Sequence, residues 1–552
     1  MNAIEQLTPS THADNFTRER LPPADQWPVF VFDRPELQYP EQLNCAVELV
    51  DANVAKGWGH RPAVRGIGKD GPFTWTYAQL ADQVNRIAQV LTEDMKLVSG
   101  NRLLLRGANS PMMAACWLAA VKAGLVVVPT MPLLRSAELK TIIDKAQVSA
   151  ALCDHALMGE LSHCRQSDHE HHCPGLKHVM AFRVPTGGGL EASVALKNGQ
   201  YAGHATNRDD VCLIAFTSGT TGKPKGTMHF HRDVLAMCDL FPRHVLHMDE
   251  SDIVVGTPPI AFTFGLGGLL AFPLRFGASS VLIEKYTPDT LLRTIGLWGA
   301  TQCYTAPTFY RQMAALAGKY HLGTLRHSVS AGEALPDATR QLWKQATGME
   351  MTDGIGGTEV IHIYISSAGT EVKRGTIGKV VPGYTAQIVD DNMQPVPPGT
   401  MGRLAVRGPT GCRYLDDPRQ RDYVKDGWNL PGDTFVMDEE GYFSYQARND
   451  DMIVSAGYNI AGPEVESVLL QHPAVAECGV VGVADDERGQ IVKAYVVLNA
   501  GHKASDALTK ELQDFVKARI APYKYPRNVV YIDKMPRTET GKLQRFKLKQ
   551  IS

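Results

Sequence analysis

Residues 101–130 read NRLLLRGANSPMMAACWLAAVKAGLVVVPT. The stretch opens on a short apolar run, passes through a helix-like segment after Ser110-Pro111, and closes on Leu125 to Pro129. Continuous Leu and Val runs, rather than alternating ones, are what strands covered on both faces look like. The order strand, helix, strand is the unit of a parallel sheet and sets the fold class as α/β. The same rhythm returns in SDIVVGTPP (251–259), in SSVLIEK (279–285) followed by TPDTLLRTIGLWGA (287–300), and in LRHSVSAGE (325–333). From about Val380 the texture shifts to short strands and frequent turns, as in AQIVDDNMQPVPPGTMGRLAVRG (386–408), which predicts a small β-rich section. After Arg448 about a hundred residues carry their own alternation (463–473, 477–485, 491–499 and 507–520), enough for a separate small domain.

The chain has 552 residues, 56 basic against 58 acidic side chains and 44% hydrophobic residues. That length exceeds one core, so two or more domains are expected. Near-neutral charge leaves no basic field for nucleic acid, while a few local groups suffice for a small anion. Ten cysteines without a pairing pattern fit a reducing, cytoplasmic setting. The first 28 residues lack the apolar core of a signal peptide. Ile253 to Leu274 is uncharged and long enough to span a bilayer, but Pro258, Pro259, Pro273 and four glycines break a helix there. A buried strand and loop, with no membrane contact, is the expectation.

The most informative ten residues are TSGTTGKPKG, Thr217 to Gly226, directly after the apolar run VCLIAF. Small hydroxyl and glycine residues let N–H groups and Oγ atoms close around phosphate oxygens, with Lys223 and Lys225 adding charge. A surface turn has the same composition. The pattern departs from a Walker loop, because Pro224 follows Lys223 where Ser or Thr is required. Further on come SAGEALP (330–336), DGIGGTE (353–359), GWNLPGD (427–433), ARNDDMIVSAGYNI (447–460) and PRTETGK (536–542). TSGTTGKPKG resembles the signature of the adenylate-forming (AMP-binding) superfamily, which includes acyl-CoA synthetases, and the later motifs follow in that family's order from Thr217 to Lys542.

The resemblance implies a large N-terminal domain of parallel-type sheets with helices plus the β-rich section, residues 1–449, and a small mobile α+β C-terminal lid, residues 450–552. It implies ATP, Mg²⁺ and coenzyme A as cofactor and co-substrates. Thr217, Ser218, Gly219, Thr220, Thr221, Gly222 and Lys225 would cradle phosphates. Gly332, Glu333 and Ala334 would border the adenine, and Asp353, Gly354, Ile355 and Gly356 would lie flat against the purine, where glycine lets the main chain approach closely. Thr358 and Glu359 offer hard oxygens, with Glu359 holding Mg²⁺; a capped helix start at Thr358 is the plainer reading. Asp433 resembles the carboxylate that takes both ribose hydroxyls, and Arg448 a second ribose contact. Asp450 stands where the family hinges, Gly457 would face the CoA arm, and Lys542 resembles the lysine that bridges the carboxylate nucleophile and the α-phosphate.

For the acid, PPIAFTFGLGG (258–268) resembles the family's acyl-pocket segment, with Phe262, Thr263 and Phe264 as an apolar slot with a flat wall. Core aromatics at strand spacing are the alternative for the two phenylalanines. His362, three residues after Glu359, gives a TE-x-x-H arrangement similar to the benzoate-CoA ligase branch, where this histidine lies at the carboxylate end of the pocket; a hydrogen-bonded core histidine is the alternative. Residues 14–51 resemble bacterial 2-aminobenzoate-CoA ligases within that branch. A small aromatic carboxylic acid is therefore the expected partner. A medium-chain fatty acyl-CoA synthetase shares the catalytic motifs, and an adenylating enzyme with another acceptor is a further rival. Members of the family often form homodimers. Finally, Cys153, His155, His163, Cys164, His169, His171, His172 and Cys173 crowd 21 residues; their spacing matches no paired zinc motif, and a polar loop is the expectation.

Overall fold

The computed structural model describes residues 7–68, 71–217, 224–448, 451–455, 458–485, 488–537 and 543–551. The 101–130 unit folds as its sequence predicts: strand Arg102–Arg106, helix Pro111–Lys122, strand Val126–Thr130. Ser110 caps the helix by accepting the Met113 N–H at 3.2 Å, and Pro111 takes the first turn, where its missing N–H costs nothing. Leu103 to Leu105 and Val126 to Val128 are fully buried, each contributing about 1.5–3 kcal/mol of transfer free energy. These strands pair in parallel at the centre of a six-stranded sheet. Its order is His178–Phe182, Ala150–Asp154, Arg102–Arg106, Val126–Thr130, Val211–Thr217, Lys225–Phe230. Only the last strand is antiparallel, so Val211–Thr217 and Lys225–Phe230 form a hairpin with the glycine-rich stretch at its tip.

A nine-stranded sheet lies beside it in the chain. Its parallel centre runs Met351–Gly356, His327–Ser330, Gln302–Thr305, Ile253–Gly256, Ser279–Val281, Pro62–Gly68, with antiparallel edges on both sides. Both sheets carry helices, and one large apolar cluster threads between them. The β-rich section is wholly antiparallel, from Thr385–Val389 to Phe443–Arg448. The C-terminal part is a five-stranded sheet with its own core around Ile453, Val465, Val480, Ala494, Val496 and Leu512. The architecture is thus mixed α/β, with a large N-terminal and a small C-terminal domain.

One local expectation needs correction. Ile253–Gly256 is a buried strand, but 263–276 is helical rather than loop: Thr263–Leu266, a π-helical turn Gly267–Ala271, then Phe272–Phe276. The wider turn ends at Ala271, and Pro273 sits at the start of the last segment, where its missing N–H leaves the i→i−4 ladder free to change pitch. Phe262 and Phe264 therefore sit at the entry to a helix, not on a strand. Among the described residues no helix is long and apolar enough to cross a membrane.

Candidate active site

The hairpin tip closes on the pair Thr217 and Lys225, which face each other in register. Ser218, Gly219, Thr220, Thr221 and Gly222 lie outside the described residues. Among the described residues the buried Thr217 Oγ1 has no hydrogen-bond partner, an orphan that ligand oxygens at the tip would satisfy. Lys225 Nζ donates to Tyr414 Oη at 2.8 Å and lies 3.7 Å from Glu359 Oε1, and Tyr414 Oη in turn donates to Glu359 Oε1 at 2.6 Å. The ammonium also stands 4.8 Å from the Tyr414 ring centroid. Burial, then the Glu359 charge, pushes the Tyr414 phenol far up, so it stays a donor. Tyr414 was not legible in the sequence, because RYLDDP around it carries no motif; its role arises only where the β-rich section meets the hairpin.

Glu359 is placed by a tight turn. Met351–Gly356 ends in glycines because a Cβ on Gly356 would meet the His362 carbonyl at 2.5 Å. Gly357 caps the 3-10 turn Thr358–Val360, so the cap is Gly357 and not Thr358. His229 Nε2 lies 2.8 Å from the Thr358 carbonyl and fixes that turn from behind. Ile361 then adopts φ +67°, a left-handed conformation costing a β-branched residue on the order of 1–3 kcal/mol, and this turns His362 inward while Glu359 faces outward. One carboxylate and a neighbouring hydroxyl are the hard-oxygen set that suits Mg²⁺ carried by phosphates, so Glu359 and Thr358 fit that ion.

Asp433 and Arg448 are direct cross-strand partners, Oδ1 to Nε 3.4 Å. The Asp433 side chain is only 8% exposed, and its charge, first among several, raises the Arg448 guanidinium. The charges of Asp433 and Glu359 both act on Arg448 and on the buried Tyr364, which puts the two motifs in one electrostatic field. Asp353 is buried and lifted to about 7 by desolvation, against the pull of Arg340; its carbonyl accepts from Ser366 Oγ at 2.6 Å. Gly354 runs along Ile363, and Ile355 pairs with Ile365, so this backbone is held flat in a sheet.

Gly332 takes φ +88° directly after strand His327–Ser330, and Glu333 and Ala334 follow in the turn. Glu333 Oε2 accepts from Thr308 Oγ1 at 2.9 Å and Oε1 from Arg537 Nη1 at 2.8 Å. Arg537 also reaches Glu477 at 2.7 Å. Arg537 thereby joins the C-terminal domain to the Gly332–Ala334 turn; the sequence pointed to its motif but not to this residue. Lys542, Asp450 and Gly457 lie outside the described residues.

His362 is buried in an aromatic box. Its ring sits 4.5 Å from Phe272 (edge-on), 5.8 Å from Phe241 and 5.9 Å from Phe264. Phe264 also leans on buried Tyr304 at 5.9 Å. Nε2 lies 3.4 Å from the Phe264 carbonyl, and Nδ1 has no partner. Burial holds the imidazole down to about 3, so it is neutral. The π turn supplies the close approach: a Cβ on Gly267 would be 2.5 Å from His362 Cδ2, and one on Gly268 2.6 Å from Tyr304 Cδ1. Phe264 and His362 are therefore assembled together, with Phe262 and Thr263 at the helix entry. Phe241, Phe272 and Tyr304 escaped the sequence reading because they arrive from three other elements.

The crowded Cys/His stretch does not converge. Its cysteines 153, 164 and 173 are buried, His163 stacks on His169 at 4.5 Å, and among the described residues no trio from it gathers three ligand atoms.

Residues 52–413 match the AMP-binding enzyme family, and residues 464–542 match the AMP-binding enzyme C-terminal domain. A benzoate–CoA ligase of Thauera aromatica is 33% identical over 521 residues, covering 93% of this chain and 97% of the relative. The mitochondrial acyl-coenzyme A synthetase ACSM4 of Rattus norvegicus is also 33% identical, covering 93% of this chain and 91% of that protein. A crystal structure of the anthranilate CoA ligase AuaEII with anthranoyl-AMP superposes with a TM-score of 0.87 at 31% identity, over 94% of this chain and 98% of that one.

Proposed function

Since the chain belongs to the AMP-binding enzyme family, we propose that it is an ATP-dependent aryl-CoA ligase acting on a benzoate or 2-aminobenzoate type of acid. In the first half-reaction the substrate carboxylate attacks the α-phosphorus of ATP in line and expels pyrophosphate. In the second, the CoA sulfur attacks the acyl carbon, the thiol proton is lost and AMP leaves. Thr217, the 218–222 backbone and Lys225 hold the phosphates; Asp433 takes the ribose hydroxyls with Arg448 beside it. The Asp353–Gly356 backbone and the Gly332–Ala334 turn flank the base. Glu359 and the Thr358 hydroxyl would hold Mg²⁺, which would supply positive charge against the phosphates. Lys542 bridges carboxylate and α-phosphate in the first step, and a swing about Asp450 withdraws it and brings Gly457 to the CoA arm.

The observation that carries the aromatic part is the box around His362: three aromatic side chains and a neutral imidazole, three residues from Glu359. A flat aromatic cluster near the turn that carries Glu359 suits an aryl carboxylate, whose ring stacks or meets edges favourably. The sequence likeness to acyl-coenzyme A synthetases keeps one other reading, an aliphatic acid in the same slot. ATP–pyrophosphate exchange with substituted benzoates and with C6–C12 acids tests it. Exchange dependent on an aryl acid is the expected result; exchange only with aliphatic acids overturns the aromatic assignment.

A further inference from the structure

Zinc-type ligands do converge in this chain, but away from the stretch where cysteine and histidine are dense. Cys45, Cys212 and His231 are all fully buried, and one ligand atom from each lies within 4.8 Å of both others. They come from three separate pieces of chain. Cys45 is in the N-terminal segment, which is tied down by Leu43 N–H to the Thr206 carbonyl at 2.8 Å and by Thr206 Oγ1 to the Leu43 carbonyl at 2.7 Å. Cys212 is the second residue of strand Val211–Thr217, and His231 directly follows strand Lys225–Phe230. The trio therefore closes the base of the hairpin whose tip is the phosphate stretch.

The chemistry of the trio is soft: two thiols and an imidazole in an apolar core. His231 Nδ1 accepts the Cys45 N–H at 3.1 Å and stands 3.3 Å from Cys45 Sγ, so a metal ion on Nδ1 takes the place of that hydrogen bond. Ideal Zn–S and Zn–N distances of about 2.3 and 2.0–2.1 Å imply ligand-to-ligand edges of about 3.5–3.8 Å in a tetrahedral site. The Cys45–His231 edge, at 3.3 Å, is slightly shorter than that, and the remaining edges, at most 4.8 Å, need to close by up to about 1.3 Å to reach it. His231 Nε2, on the far edge of the ring, is buried without a partner. Zinc(II) with two thiolates is neutral, as a buried site demands, and copper(I) reaches neutrality with one thiolate and one thiol, releasing a single proton.

We propose that Cys45, Cys212 and His231 form a soft-metal site for one d10 ion, zinc(II) or copper(I), locking the base of the phosphate hairpin. Zinc binding replaces the two thiol protons, which pass to solvent: Zn²⁺ plus two thiols gives the dithiolate complex and two H⁺. Three protein ligands fill a trigonal copper(I) site outright and leave zinc one position for a small fourth ligand.

The test uses the full chain, untagged, purified without chelator and then incubated anaerobically with one equivalent of Zn²⁺ or of Cu⁺ before desalting. Metal is counted by mass spectrometry, and thiolate-to-metal charge transfer is read after Co²⁺ substitution. Retention of about one equivalent of either ion is expected, with loss of about tenfold or more in Cys45→Ala/Cys212→Ala checked as folded by circular dichroism. The zinc and copper arms identify which ion is held. Retention of about a tenth of an equivalent or less of both ions by the wild-type chain, a measurement that needs no variant, overturns the proposal, as does equal retention by the folded double variant.

Discussion

Tyr414→Phe removes one oxygen from the middle of the proposed phosphate site and nothing else. That oxygen takes a hydrogen bond from Lys225 at 2.8 Å and gives one to Glu359 at 2.6 Å, so it bridges an ammonium and a carboxylate that already form an ion pair at 3.7 Å and keeps them from closing further. Without it, a raw attraction of about 4–5 kcal/mol at an effective dielectric near 20 draws Lys225 straight onto Glu359, and each neutralises the other instead of meeting phosphate and Mg²⁺. The hydrogen bond to the carboxylate is charge-assisted and is worth about 1.5–3 kcal/mol, or about 10- to 150-fold in a rate or binding constant. The expected outcome is a fall of that size in kcat/KM for MgATP, carried mainly by a higher KM for MgATP, with the KM for the acid unchanged. Pyrophosphate exchange at varied MgATP reads the first quantity and varied acid the second. Fold should survive, because the ring still packs edge-on against Tyr423 at 5.8 Å. MgATP kinetics within about twofold of wild type would refute the bridging role of the hydroxyl.

Gly267→Ala places a methyl 2.5 Å from His362 Cδ2, so the imidazole must move; the KM for the acid should rise about tenfold or more while that for MgATP holds, as steady-state kinetics will read. His362, at about 3 in the fold against an ordinary 6.5, leaves the unfolded chain binding the proton first. Stability should therefore fall as pH drops from about 6.5 toward 3, by up to roughly 4 kcal/mol, and His362→Leu should flatten that window in urea titrations. Lys542→Ala should abolish ATP-dependent adenylation and spare thioester formation from supplied acyl-adenylate; equal loss of both would reject that division of roles.

The α/β class was legible because strands buried on both faces must be apolar throughout, as Leu103 to Leu105 and Val126 to Val128 are. Glu359 and His362 were legible through their three-residue spacing, which the turn at Ile361 converts into opposite facings. Tyr414, Arg537 and the partners of His362 were not, since each acts across long sequence separations: Tyr414 reaches back 189 residues to Lys225, and Arg537 204 residues to Glu333. The helix at 263–276 was hidden by its glycines and Pro273, which normally argue for loop but here serve a π turn pressed onto His362 and Tyr304. The Cys45, Cys212 and His231 cluster was hidden by distance for the same reason, while the local density at 153–173 signalled a site that the fold does not gather.

The central claim is that this chain joins an aromatic acid to CoA through its adenylate. The most direct measurement follows acyl-CoA by mass spectrometry in reactions holding ATP, Mg²⁺, CoA and one acid, across benzoate, 2-aminobenzoate and C6–C12 fatty acids. The account predicts an aryl-CoA product with AMP and pyrophosphate in equal amount, and a kcat/KM for the best aryl acid about tenfold or more above that for any aliphatic one. Thioester formed faster from an aliphatic acid, or exchange with an aryl acid that never yields a CoA product, would contradict it.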